Sequence, residues 1–204
     1  MVDKINTNIN TDVFWNYKGS LRNFQAGGWA GVTFLEKWLL GYGKTWHTEV
    51  FEKRFHNDTS LWEGGYNLQS WNNVSLLHQW GKNFDTDFQR VRARVSLKPT
   101  QKLAVSNEFT YLTVSPDTNN RSTEIYLATA DYNFTPDLWL RLIAQYSSRN
   151  DRLYVYSLFG WRFAPPFGAL YIAWTADRFD DPLVLTSKEN QRTLFVKFTI
   201  PVSL

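Results

Sequence analysis

The sequence has no cysteine and a single methionine. Disulfides, thiolate metal centres and thiol catalysis are therefore excluded. No uninterrupted apolar run approaches the roughly 20 residues of a membrane-spanning helix. Charge of one sign is also lacking: 22 Lys and Arg stand against 19 Asp and Glu, a net charge of +3. So small an excess, with no Arg/Lys block interleaved with aromatics, argues against nucleic acid as a partner. There is no GxSxG, no P-loop and no GxGxxG after a strand.

The loose candidates for chemistry do not assemble. Glu49 and Glu52 have opposite strand parity, and Asp85 and Asp87 sit in a loop, so neither pair suits glycosidic chemistry. His47 shares a strand face with Glu49, His56 and His78 stand alone, and no third metal ligand is evident. The sequence thus predicts no catalytic residue, no metal and no cofactor, and the chain is not expected to be an enzyme. The N-terminus, MVDKINTNIN, lacks the apolar segment of a signal peptide. Export would require a leader already removed, or a longer precursor.

Aromatics are present in excess. There are 10 Trp, 10 Tyr and 15 Phe, 17% of the chain, yet the mean hydropathy is −0.40. Polar average with many aromatics points to alternation, one face apolar and one polar. Period 2 is visible along most of the chain. Ile5, Ile9, Val13, Trp15 and Tyr17 alternate with Asn6, Asn8, Asn10, Asp12 and Asn16. Phe24, Ala26, Ala30, Val32 and Phe34 follow on one face, among glycines that permit close packing or a bend. KTWHTEVFEKRF (44–55) reads as a strand with mixed faces, HNDTSLWEGGYN (56–67) as a turn, and WNNVSLLHQWGK as a strand.

The pattern sharpens from residue 87. Val91, Ala93, Val95 and Leu97 oppose Arg90, Arg92, Arg94, Ser96 and Lys98. Leu103, Val105, Phe109 and Tyr111 oppose Ser106, Glu108 and Thr110. Tyr126, Ala128, Ala130 and Tyr132 oppose Thr129, Asp131 and Asn133. Leu138, Leu140, Leu142 and Ala144 oppose Arg141 and Gln145. Leu153, Val155, Phe159 and Trp161 oppose Tyr154, Tyr156 and Arg162. Leu170, Ile172 and Trp174 form another such face, and Leu194, Val196, Phe198 and Ile200 oppose Thr193, Lys197 and Thr199.

Eleven strand candidates result. Each is about as long as the 9 to 11 residues of a tilted membrane strand, against 5 or 6 for a globular one. The fold class expected is all-β: an antiparallel up-and-down transmembrane β-barrel of about 10–12 strands, one domain over residues 1–204. Bacterial barrels have even strand numbers, so one strand is miscounted or strands are missing. The alternative is a soluble all-β carbohydrate-binding protein, equally rich in aromatics.

Connections alternate in kind. LKPTQKL, NFTPDLW and FAPPFGAL are tight and carry proline. SPDTNNRS, RNDR and DDPLVLTSKENQ are polar or longer. Pro165 and Pro166, with Gly168 restarting the next strand, read as a periplasmic hairpin turn.

With apolar faces toward lipid, Arg90, Arg92, Arg94, Glu108, Asp131, Arg141, Arg162 and Lys197 face the lumen. Hairpin pairing should bring Arg94 near Glu108 and Arg141 near Asp131. Such a set forms either an electropositive channel for anionic or sugar-like solutes, or a salt-bridge network that plugs the lumen. The plugging network is the simpler reading.

Phe134, Thr135, Pro136, Asp137, Gln145, Tyr146, Trp161, Pro165, Pro166, Gly168, Val196 and Lys197 also follow a known order of landmarks. From about residue 64 onward the chain resembles the C-terminal β-barrel domain of unknown function in envelope proteins of Bacteroidetes, Acidobacteria and relatives. In that family the barrel usually follows a module similar to family-9 carbohydrate-binding modules. The resemblance implies the bacterial outer membrane, with its lipid and the barrel insertion machinery as partners. It also implies a link to glycan binding or uptake. It supplies no catalytic residues. The sugar-binding module is absent from this sequence and the barrel is shorter than the family's, which suggests the C-terminal portion of a larger barrel. The final strand, the expected insertion signal, ends PVSL rather than in an aromatic residue.

Overall fold

The computed structural model describes residues 1–50, 53–116, 122–165, 168–180 and 188–200. Its regular structure is all β: β1 (Val2–Trp15), β2 (Leu21–Phe34), β3 (Trp38–Val50), β4 (Arg54–Tyr66), β5 (Asn73–Asn83), β6 (Thr86–Leu97), β7 (Leu103–Ser115), β8 (Thr123–Thr135), β9 (Leu138–Ser147), β10 (Arg152–Ala164), β11 (Gly168–Asp180) and β12 (Lys188–Thr199). They form one sheet in sequence order, β1 to β12, antiparallel in every hairpin whose register is given below. The sheet is not closed, so β1 and β12 are its edges.

The twelfth strand is β4. Its sequence, rich in Asn, Asp and Gly, was expected to be a turn, and KTWHTEVFEKRF was expected to be one strand. The chain instead breaks near Lys53 and returns as β4. Ladders on both sides hold β4 extended: Trp62 stands opposite Tyr42 on β3 and His78 on β5. Turn-forming residues cost a central strand little when both neighbours satisfy its backbone. At Gly65 a Cβ would lie 2.6 Å from the Leu68 side chain, which packs over it from the following loop.

Two compact units divide the chain, Met1–Ala93 with Thr110–Ser122, and Arg94–Phe109 with Thr123–Leu204. Within the first, cross-strand register gathers apolar residues on one face. Ile5, Val32, Leu40 and Leu76 share a rung with Gly64. Phe34, Trp38, Tyr66 and Val74 share another. The opposite face is polar: Asp12, Gln25, His47 and Asn57 form one rung.

The second unit repeats the division. Tyr132, Leu140, Phe159, Ile172 and Val196 form one apolar rung, and Leu138, Trp161, Leu170 and Phe198 another. Gln145, Tyr154, Asp177 and Gln191 lie on a rung of the other face.

Turn chemistry fits the hairpins. Leu35 and Glu36, and Phe84 and Asp85, have positive φ in pairs, as two-residue type I′ turns require. Thr100 Oγ1 accepts from the backbone N–H of Lys102 and Leu103 at 3.2 and 3.1 Å. The proline-bearing turns follow β6, β8 and β10, and the polar connections follow β7, β9 and β11, as the sequence suggested. Antiparallel alternation therefore puts the proline turns at the same ends of their hairpins. Pro165 is a turn residue and Gly168 opens β11, while Pro166 lies outside the described residues.

Candidate functional site

The two faces differ in what they touch. Among the described residues, one hydrophobic side chain is buried, Ala169, 6% exposed. The large apolar side chains of the apolar face are instead open. Trp38, Leu40, Tyr42, Trp46 and Trp62 are exposed in the first unit, and Leu142, Trp161 and Trp174 in the second. On β12, Leu194, Val196 and Phe198 are 66%, 55% and 58% exposed. Aromatic pairs reinforce this surface, with Trp38 and Tyr66 at 4.9 Å, Tyr42 and Trp62 at 4.8 Å, and Phe163 and Phe198 stacked at 5.3 Å between centroids.

Glycine and tryptophan shape the polar face. Trp29 lies over Gly41, where a Cβ would stand 2.8 Å from its ring, and also crowds Gly31 and Gly43. Trp139 covers Gly160 in the same way. It also contacts Tyr171 at 5.9 Å, and the Arg162 guanidinium lies 5.6 Å from its ring. These two tryptophans thus sit apart from the apolar surface. Sequence parity carries the signal for both, since each alternates with apolar neighbours, but a tryptophan is not an obvious member of a polar face.

The charges expected on that face are engaged in different ways. Asp131 and Arg141 stand directly opposite on β8 and β9, and Arg141 Nε donates to Asp131 Oδ1 at 2.5 Å. Arg162 bonds across to the turn between β8 and β9, donating to the Pro136 carbonyl at 2.6 Å and pairing with Asp137 at 3.2 Å. Its backbone N–H also reaches the Asp137 carbonyl at 2.8 Å. Arg162 therefore staples a proline turn. Arg90 donates to Gln79, and its Nε is buried without a partner.

Arg94 and Glu108 do not form the expected pair. Arg94 is exposed and Glu108 half-buried, and no ion pair joins them among the described residues. The cost of giving up hydration outweighs a contact that water would screen. Arg92 and Lys197 are likewise exposed, and Lys197 lies opposite Tyr171.

Sequence reasoning missed a further pair and a cavity. Arg152 binds Asp177 through two nitrogens, at 2.9 and 2.6 Å, between β10 and β11. In the first unit a cavity of about 680 Å³ opens on the polar face, lined from β2 through to β7. A sheet can line one cavity from strands so far apart only by curling around its polar face. No cluster of three His, Asp or Glu residues suited to a metal occurs among the described residues.

Outside the strands, Lys53 donates to Asp85 at 2.7 Å, joining two turns. This bond, aided by the positive charges of Lys53 and Lys82, holds the Asp85 carboxyl below its usual range.

No family model, curated protein or solved structure matches this chain.

Proposed function

We propose that the chain is a β-barrel, or part of one, of the bacterial outer membrane, and that it serves chiefly as a membrane anchor. The carrying observation is that each unit exposes apolar rungs on one sheet face, broken in the first unit by the Lys44–Asp58 pair, while Ala169 is the one buried hydrophobic side chain among the described residues. A soluble sandwich would cover such a face with a second sheet. Hydrocarbon covers it without one, and aromatic residues at the margins suit the lipid interface. Strand lengths of 10 to 14 residues fit a tilted crossing. Closure would satisfy the backbone groups along the free sheet edges, which a membrane does not tolerate unpaired.

The polar face favours an anchor over an open pore. Trp29 and Trp139 fill space on it, and Arg141–Asp131 and Arg152–Asp177 pair charges that would otherwise attract solute. A narrow solute channel is the remaining form of the same reading. The ordered landmarks from Phe134 to Lys197 support kinship with the envelope barrel family, and that kinship suggests a link to glycans.

Detergent dependence with heat-modifiable gel migration tests the proposal. Extraction only by detergent, with a faster-migrating unheated band, is expected. A monomer soluble in plain buffer refutes it. In planar bilayers an anchor gives no conductance, whereas a channel gives steps.

A further inference from the structure

The cavity on the polar face of the first unit has features of a ligand site. Two consecutive rungs build its floor. Gln25, His47 and Asn57 form one, and Thr45 and Thr59 stand in the next, beside Gly27. Gly27 leaves that floor open, because a Cβ would lie 2.8 Å from Thr45 Oγ1. Phe84, Phe88, Leu112 and Val114 supply apolar wall.

Asn57 is the decisive residue. It is 7% exposed and lines the cavity. Its Oδ1 accepts from the Phe84 N–H at 2.7 Å, which fixes the orientation of the amide. The other end, Nδ2, is a buried donor with no partner. A buried donor left unpaired loses its hydration without compensation, so the site calls for an acceptor. Nearby, His47 Nε2 lies 2.8 Å from Asn23 Oδ1 and 3.4 Å from Glu49 Oε1. Glu49 Oε2, one rung further along, is a buried acceptor without a partner.

We infer that this cavity binds a neutral polyhydroxylated ligand of the size of one or two sugar rings. Hydroxyl groups both donate and accept, so one ligand class satisfies Asn57 Nδ2 and the acceptors among the threonines and Gln25. Asp58 and Lys82 also line the cavity, and their opposite charges favour neither an anion nor a cation over a neutral ligand. Phenylalanine walls suit the apolar face of a sugar ring, and the volume lies in the range of small-molecule sites. All the residues belong to one unit, so the inference does not depend on a membrane.

Saturation-transfer NMR and calorimetry on the full chain, in detergent or buffer as it requires, test the site. The probes are methyl α-glucoside, N-acetylglucosamine and maltose, with glucose 6-phosphate as the charged comparator. Saturable binding of at least one neutral probe is expected. Asn57→Asp keeps the acceptor for Phe84 while removing the donor, and should weaken binding by about tenfold, the worth of one hydrogen bond. Thr45→Val, on the neighbouring rung, should weaken it in the same direction. No binding by any neutral probe overturns the inference, because water then suffices for Asn57. Tighter binding of glucose 6-phosphate, or unchanged binding in both variants, also overturns it.

Discussion

The ring of Trp139 occupies the space that a side chain at Gly160 would fill, directly opposite it across β9 and β10. The glycine is therefore part of the tryptophan's seat. Gly160→Ala should destabilise the protein by about 1–3 kcal/mol, the usual cost of overpacking. Adding Trp139→Leu should recover much of that loss. Denaturant midpoints of the wild type and the two variants measure both effects, and a Gly160→Ala protein of full stability would mean that the ring sits elsewhere.

Leu142 belongs to the exposed apolar face. In a bilayer, Leu142→Arg should cost about 2–4 kcal/mol if the residue lies near the midplane. In water the same change should be close to neutral or favourable. Unfolding from lipid vesicles distinguishes the two, and a neutral result in vesicles argues for an aqueous setting.

Tryptophans divide between the faces, which fluorescence can read. Brominated lipid should quench Trp161 and leave Trp139 bright. Trp161→Phe should then lower the quenchable fraction of emission, and Trp139→Phe should raise it. Equal effects would contradict the division.

Arg141 and Asp131 are each partly exposed, at 51% and 38%. A double-mutant cycle should return a coupling of at most about 1 kcal/mol, as for other hydrated pairs. A coupling of several kcal/mol would indicate that closure dries the polar face much further.

Asp85 offers a pH test outside the strands. Its carboxyl titrates below the ordinary value of about 3.9 because of Lys53. The tie between the two turns is complete above that ordinary value and is lost as pH falls through the depressed one. The Asp85 carboxyl carbon shift should show the low midpoint, and Lys53→Met should move it upward.

Much of this was legible in period 2. The alternation over Leu138–Ser147 and Arg152–Ala164 assigned residues to the faces that the registers confirm, and hairpin geometry anticipated Arg141 beside Asp131. β4 was not legible, because Asn57, Asp58, Gly64 and Gly65 have turn propensity and only the ladders beside them make a strand. The cavity was not legible either. Gln25, His47 and Asn57 lie on three strands, and their shared rung depends on registers that local composition does not set.

Each strand of this sheet neighbours only those before and after it in the chain. No connection has to cross over another strand, so each closure spans a short loop and costs little entropy. The hairpin is then the natural increment of the architecture. Duplicating or deleting one would leave every other ladder intact and keep the alternation of turns. A lineage could resize such a sheet two strands at a time while the rest of the wiring stayed as it was.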